Sequence, residues 1–336
     1  MTAMLLSVPL MAQADPTSGI LYYTRFDHGA GESNVKSINY SYDGLVTYAL
    51  TGKTGIATTN GADGIIFAPD GDLLVGGQSN GIVSKVKISN GSITTASPGV
   101  GDAYHLSLAP DGSKAYATNI PGSLGFVNLG PFSGGSQITL TGDDTAITSL
   151  AFDQSGNAYY TTANSGGTSG NVGRINLTTG VTTQVRAGIA GAHGMVYDSY
   201  TNTLDLFGGT HIRQLNLDAG LTDYSDFDVS TALTGSQNAA FQFDQGAADG
   251  KGHVFVADNN NGDLLFVDYH TSLHFADGSN FRANLFLDNQ LDDVAPLSGL
   301  GSSAPTPEPG SLALFGGLSL SGLGVLLRRR SIRKSA

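Results

Sequence analysis

There is no cysteine and no tryptophan in this chain of 336 residues, and glutamate occurs only at Glu32 and Glu308. The absent thiols exclude a disulfide framework, a thiolate nucleophile and cysteine metal ligands. The absent tryptophan excludes tryptophan–aspartate repeats. Charged residues make up only 13% of the chain, and of its 28 acidic residues all but those two are Asp. Glu and Lys favour helix interiors, whereas Asp and Gly favour turns. Gly is abundant, at 47 residues, about twice its ordinary share. This composition argues against helical bundles, helical solenoids and helix-covered α/β enzymes. It predicts an all-β chain of short strands and many turns.

The formal charge is −12, but Arg328, Arg329, Arg330, Arg333 and Lys334 crowd into the last nine residues with no acid among them. The rest of the chain has 11 basic and 28 acidic residues, a balance of −17. Nucleic acid needs a partner of the opposite sign, so DNA and RNA binding are excluded. An Asp-rich surface suits solubility and divalent cations.

Both ends carry targeting signals. Met4 to Met11 is a short apolar run, followed by the small-x-small site Ala12-Gln13-Ala14. This predicts a secretory signal peptide over residues 1–14, without the usual basic start, and a mature body over 15–300. Residues 301–310 form a Gly/Ser/Pro linker ending in Pro307-Glu308-Pro309. Residues 311–327 then run uncharged, with four Gly, up to Arg328-Arg329-Arg330. As a helix this run spans roughly 25 Å, short of a bilayer's hydrocarbon core. The basic tail, 328–336, is expected to stay cytoplasmic with the body outside.

This three-part tail resembles the PEP-CTERM sorting signal of Gram-negative bacteria. The match covers about 30 residues and does not bear on the body. The resemblance implies an exosortase partner, an inner-membrane intermediate and removal of the tail during export. It also implies delivery to the cell surface or an extracellular matrix rich in exopolysaccharide. The plain alternative is a permanent single-span anchor.

The body repeats. Phe67-Ala68-Pro69-Asp70-Gly71 precedes Leu73-Leu74-Val75, Leu108-Ala109-Pro110-Asp111-Gly112 precedes Ala115-Tyr116-Ala117, and Phe152-Asp153-Gln154-Ser155-Gly156 precedes Ala158-Tyr159-Tyr160. Tyr197 to Asn202 precedes Leu204-Asp205-Leu206, and Phe243-Asp244 leads through a longer turn to His253-Val254-Phe255. The turn residues Gly71, Gly112, Gly156, Asn202 and Gly252 are 41, 44, 46 and 50 residues apart. Each interval holds further strand signals, such as the hairpin turn Asn90-Gly91. Four short strands per such period is the signature of a β-propeller blade.

Inner strands are expected to start near residues 63, 105, 148, 193 and 239. A sixth start, at Asp293 to Ser298, has no continuation, while residues 20–50 hold three strands with no first strand. Joining the two ends gives a sixth blade shared by both termini and leaves no open sheet edge. Six blades follow, with seven as the alternative. The repeated Pro-Asp-Gly before an apolar strand resembles NHL-type, gluconolactonase-type and YVTN-type surface propellers.

In such a fold the inner-strand starts surround the axis. They are Asp63, Tyr104 or His105, Thr148 or Ser149, His193, Asn238 or Ala239, and Asp293. Asp63, Asp293, His193 and His105 are therefore candidate ligands for Ca²⁺ or another divalent ion; oxygen donors suit Ca²⁺ or Mg²⁺, and added imidazoles suit Zn²⁺ or Mn²⁺. The alternative is a hydrated polar channel. The gluconolactonase-type enzymes hold their metal through a Glu, two Asn and an Asp, and here neither Glu stands at a strand start. Asp258 to Asp263 departs from the EF-hand pattern, which needs Gly at its sixth place, and reads as a hairpin turn. Asn164 to Gly170 lacks the P-loop Lys, and no Gly-x-Ser-x-Gly elbow occurs. The expectation is an exported propeller that binds polysaccharide or surface proteins without catalysis. A metal-dependent hydrolase or lyase working at the axis is the alternative.

Overall fold

The computed structural model describes residues 16–26, 31–120, 122–164, 169–229 and 241–296. The signal peptide, the linker with its sorting motif, the membrane-spanning sorting helix over 311–327 and the basic tail read from the sequence lie outside them. Among the described residues no helix is long and apolar enough to cross a membrane.

Six antiparallel sheets stand around one axis as a six-bladed β-propeller. Blade 2 is β4 (Ile65–Phe67), β5 (Leu73–Gly76), β6 (Val83–Val86) and β7 (Ile93–Ala96). Blade 3 is β8 (Leu106–Leu108), β9 (Lys114–Thr118), β10 (Leu124–Leu129) and β11 (Phe132–Ile138). Blade 4 is β13 (Ser149–Phe152), β14 (Ala158–Thr161), β15 (Gly170–Asn176) and β16 (Val181–Ile189), with the two-residue β12 (Thr141–Gly142) added in parallel to β16. Blade 5 is β17 (Gly194–Asp198), β18 (Thr203–Gly208), β19 (His211–Asn216) and β20 (Thr222–Asp228). Blade 6 is β21 (Phe243–Ala248), β22 (His253–Asp258), β23 (Asp263–Asp268) and β24 (Phe281–Phe286).

Blade 1 closes the ring. Its inner strand is β25 (Leu291–Pro296), from the far end of the body. Its other strands are β1 (Thr17–Arg25), β2 (Val35–Tyr42) and β3 (Tyr48–Ala57). Tyr22 pairs with Ala295 and Tyr23 with Val294, so the two ends are joined as the sequence predicts.

In blades 2 to 6 the inner two strands are joined by a turn that needs a left-handed residue, which is why Gly and Asn recur there. Gly71 has φ of 87° and Asn202 has φ of 55°, a region that side chains other than Gly, Asn and Asp rarely enter. An Asp often fastens the turn: Asp153 Oδ1 accepts the amides of Ser155 and Asn157 at 2.9 Å.

Alternation then sends successive side chains of one strand to different neighbours. Leu73 and Val75 pack toward blade 1, while Leu74 between them packs toward blade 3. Six apolar clusters result, one at each interface between blades. Every sheet is therefore covered on both faces, and β5, β18, β22 and β23 are buried along their whole length.

One boundary needs correction. The sequence placed an inner-strand start near residue 239 and treated Phe243-Asp244 as the end of that strand. The strand is Phe243–Ala248, and its turn is fastened by Asp249, whose Oδ1 accepts the amides of Lys251 at 2.8 Å and His253 at 3.1 Å. Asp249 is thus the counterpart of Asp153. Asp244 sits at the axial end of the strand, and Asn238 and Ala239 lie outside the described residues.

Candidate functional site

The inner strands all begin on one face of the ring. There they enclose a cavity of about 430 Å³ whose lining includes Asp63, His105, His193, Asp244 and Asp292. Asp63 leads into blade 2, His105 into blade 3, His193 into blade 5, Asp244 belongs to blade 6, and Asp292 and Asp293 belong to blade 1. Blade 4 contributes Thr148 and Ser149, both fully buried and uncharged. Around the rim stand Gln78, Tyr104, Asn164 and Asn259, with Phe26 and Ile120 as apolar neighbours.

The four sequence-predicted residues are brought together. Donor atoms of Asp63, His105 and Asp293 lie within 4.8 Å of one another, as do those of His105, His193 and Asp244. Asp244 and Asp292 were not foreseen, and both reach the axis through β-bulges. In β21, Asp244 and Gln245 together oppose Ala257, because Phe243 pairs with Asp258 and Gly246 with Val256. In β25, Asp292 and Asp293 together oppose Thr24, because Tyr23 pairs with Val294 and Arg25 with Leu291. A bulge turns two consecutive side chains toward one side and re-aims them.

Threonines at or near the inner ends of second strands hold the axial backbone in place. Thr24, Thr118 and Thr161 each donate their hydroxyl at 2.6 Å to an axial carbonyl of the next blade, on Asp63, Thr148 and His193 respectively. Thr24 Oγ1 also accepts the amide of Asp293 at 3.1 Å.

The side chains form two electrostatic groups. His193 Nδ1 is 2.8 Å from the carbonyl of Ala163 and its Nε2 is 2.6 Å from Asp244 Oδ1. His105 Nε2 is 3.1 Å from the same oxygen, and Asn259 Nδ2 donates to Asp244 Oδ2 at 3.1 Å. Burial acts against the charge on Asp244, but the charge of His193 and the hydrogen bonds from both imidazoles hold its pKa well below the ordinary carboxylate value. Burial likewise acts against His193⁺, and Asp244 outweighs it, so the His193 pKa is raised. For His105 burial prevails and its pKa is lowered.

The other acids lack such compensation. Asp63 is pushed up to about 7 by burial and by the Asp244 charge, against hydrogen bonds from Asp292 and the Gly64 amide. Burial and the neighbouring carboxylates raise Asp292 and Asp293 well above the ordinary value. Asp293 is 1% exposed, and neither of its oxygens has a hydrogen-bond partner; Asp292 Oδ2 has none either. Oxygen donors from three acids beside an imidazole are a chemically suitable cradle for a divalent cation.

Two other sequence readings find their places. Asp258 to Asp263 is the β22–β23 hairpin, in which Asp258 Oδ2 accepts Asn261 Nδ2 at 2.6 Å. Glu32 pairs with Arg25 at 2.6 Å at the surface and is absent from the cavity lining.

No family model matches the chain, and no curated protein does. Solved structures with the same fold do. A chain of a nidogen/laminin complex aligns with 12% identity and a TM-score of 0.61, covering 83% of this chain and 97% of that one. The periplasmic gluconolactonase of Pseudomonas aeruginosa aligns with 13% identity and a TM-score of 0.53, covering 83% of this chain and 99% of that one. Virginiamycin B lyase of Staphylococcus aureus aligns with 11% identity and a TM-score of 0.50, covering 81% and 89%. At these identities the likeness is one of fold, shared by proteins of different activities.

Proposed function

We propose that this chain is an exported surface β-propeller that captures an oxygen-rich extracellular ligand, of polysaccharide type, at its axial mouth with a divalent cation. The convergence of four carboxylates and two imidazoles from five blades carries this reading. Amide side chains and Tyr104 at the rim supply neutral donors and acceptors of the kind that hydroxyl-rich ligands use. The route outward is the one its tail implies: a membrane intermediate, cleavage near Pro307-Glu308-Pro309, and release to the surface of a Gram-negative cell. Calorimetric titration with purified exopolysaccharide, with and without chelator, tests the binding. Binding that needs the cation and is lost in Asp63→Asn is expected; binding indifferent to both would move the ligand elsewhere. Mass spectrometry of surface material tests the route, which fails if Leu327 and Arg333 are still attached.

One observation favours a second reading, a metal-dependent hydrolase or lyase. A carboxyl group held near neutrality inside a cleft, as Asp63 is, is suited to proton transfer. Turnover of ester or lactone substrates that disappears in Asp63→Asn would select this reading over simple capture.

A further inference from the structure

Two triads of donors share His105 at the axis, and their hydrogen bonds differ. In the first, His105 Nε2, His193 Nε2 and both oxygens of Asp244 are already engaged in hydrogen bonds. The Ala163 carbonyl accepts from His193 Nδ1, so that nitrogen carries a hydrogen. Nε2 is 2.6 Å from a carboxylate oxygen, and a lone pair there would face an anion, so Nε2 carries a hydrogen as well. His193 is then an imidazolium with no lone pair to give a metal. Asp244 Oδ1 accepts from both imidazoles and Oδ2 from Asn259.

The second group is open. Asp293 is 1% exposed with both oxygens unpartnered, and Asp292, 2% exposed, has one oxygen unpartnered. Buried carboxylate oxygens without a donor are costly, and a cation removes the cost. The bulge opposite Thr24 is what brings two consecutive acids to this half, close to Asp63.

We propose that the mouth selects a hard divalent cation, Ca²⁺ over Zn²⁺, held by Asp63, Asp292 and Asp293 with His105 at the border, while His193 and Asp244 form an internal ion pair that supports the site without ligating. This rests on reading the axial mouth as a cation site. Three carboxylates favour hard cations, whereas a set of two imidazoles and one acid favours Zn²⁺. The ion pair keeps the imidazole set unavailable, and Asp244 also holds His105 Nε2.

The test uses the full chain stripped with chelator and titrated with the metal alone. One equivalent of Ca²⁺ is expected, with affinity at least 10-fold weaker in Asp292→Asn and in Asp293→Asn. His193→Gln is expected to retain one equivalent of Ca²⁺ and to lose less affinity than either Asp variant, because it removes a supporting ion pair and no ligand. Because removing one partner of a buried ion pair can unfold the protein, the unaltered chain is also loaded with Co²⁺. Weak visible bands of an oxygen-rich six-coordinate ion are expected. An intense tetrahedral spectrum, or Zn²⁺ binding abolished by His193→Gln, would put the ion on the imidazoles and overturn this assignment while leaving a cation site in place. No binding of any of these ions would overturn the assignment together with the cation reading beneath it.

Discussion

Thr161 illustrates how much of the axial mouth depends on groups that never face it. Its hydroxyl fixes the carbonyl of His193, and the imidazole of His193 in turn fixes Asp244. Thr161→Val keeps the shape and removes the donor, leaving a buried carbonyl short of a partner. We expect a loss of about 1 kcal/mol in urea unfolding. Asp288 is a second such residue, joining blade 6 to blade 1 through Lys36 at 2.9 Å, Lys53 at 3.4 Å and the Tyr23 hydroxyl at 2.9 Å. Burial alone would raise its pKa, but the hydrogen bonds from Lys36 and Tyr23 and the two lysine charges outweigh burial and lower it. A carboxylate with a lowered folded pKa stabilises fully above its ordinary pKa and stops doing so as pH falls through the folded value. Asp288→Asn should therefore cost about 2 kcal/mol at neutral pH. Thermal melts of both proteins should converge as the pH is taken below about 4.

At this scale the sequence was legible in part. Asp63, His105, His193 and Asp293 were found because each stands at a repeat position, and a repeat position implies a place around the axis. Asp244 and Asp292 were not, because a bulge adds one residue and breaks the one-to-one correspondence on which such counting depends. A signal was present in blade 6: Asp249 lies three residues before the turn Gly252, as Asp153 lies three before Gly156. Aligning those two would have moved Asp244 from the turn to the axis.

Among the elements, strands and turns were the easiest to read and bulges the hardest. Turns announce themselves through residues that tolerate positive φ, and inner strands through apolar runs buried on both faces. A bulge is specified by its partner strand and by what occupies the axis, neither of which is local in sequence. Its role can still be tested locally. Deleting Gln245 leaves Asp244 alone opposite Ala257, which removes the bulge and with it the re-aiming that brings its carboxylate to the imidazoles. His193 would then keep the effect of burial and lose the carboxylate that offsets it. Its pKa, raised in the intact protein, should fall below the ordinary histidine value. A pH titration of the histidine side chains followed by NMR measures this directly. A His193 that still titrates above its ordinary value in the deletion variant would mean that Asp244 is not what holds its proton.

For the whole molecule, the decisive element is β25. It is the only strand of blade 1 that comes from the end of the body rather than its start, and two interfaces depend on it. Leu291 and Val294 pack toward blade 6, and Ala295 packs toward blade 2. It also delivers Asp292 and Asp293 to the axis. Burying a Leu or Val side chain contributes about 1.5–3 kcal/mol, and the net stability of a domain is about 5–15 kcal/mol. Removing this strand therefore takes away a large share of the margin, and it also uncovers the edge of β1, with Tyr22 and Tyr23 behind it. We expect deletion of residues 290–300 to abolish cooperative thermal unfolding, and deletion of residues 305–336 to leave the melting curve of the propeller where it was. The comparison separates closure from tail: both variants lose chain from the same end of the sequence, and only one loses a strand. If the protein lacking residues 290–300 melts as the intact one does, the ring is stable without its shared blade, and pairing between the two ends is not what holds the propeller closed.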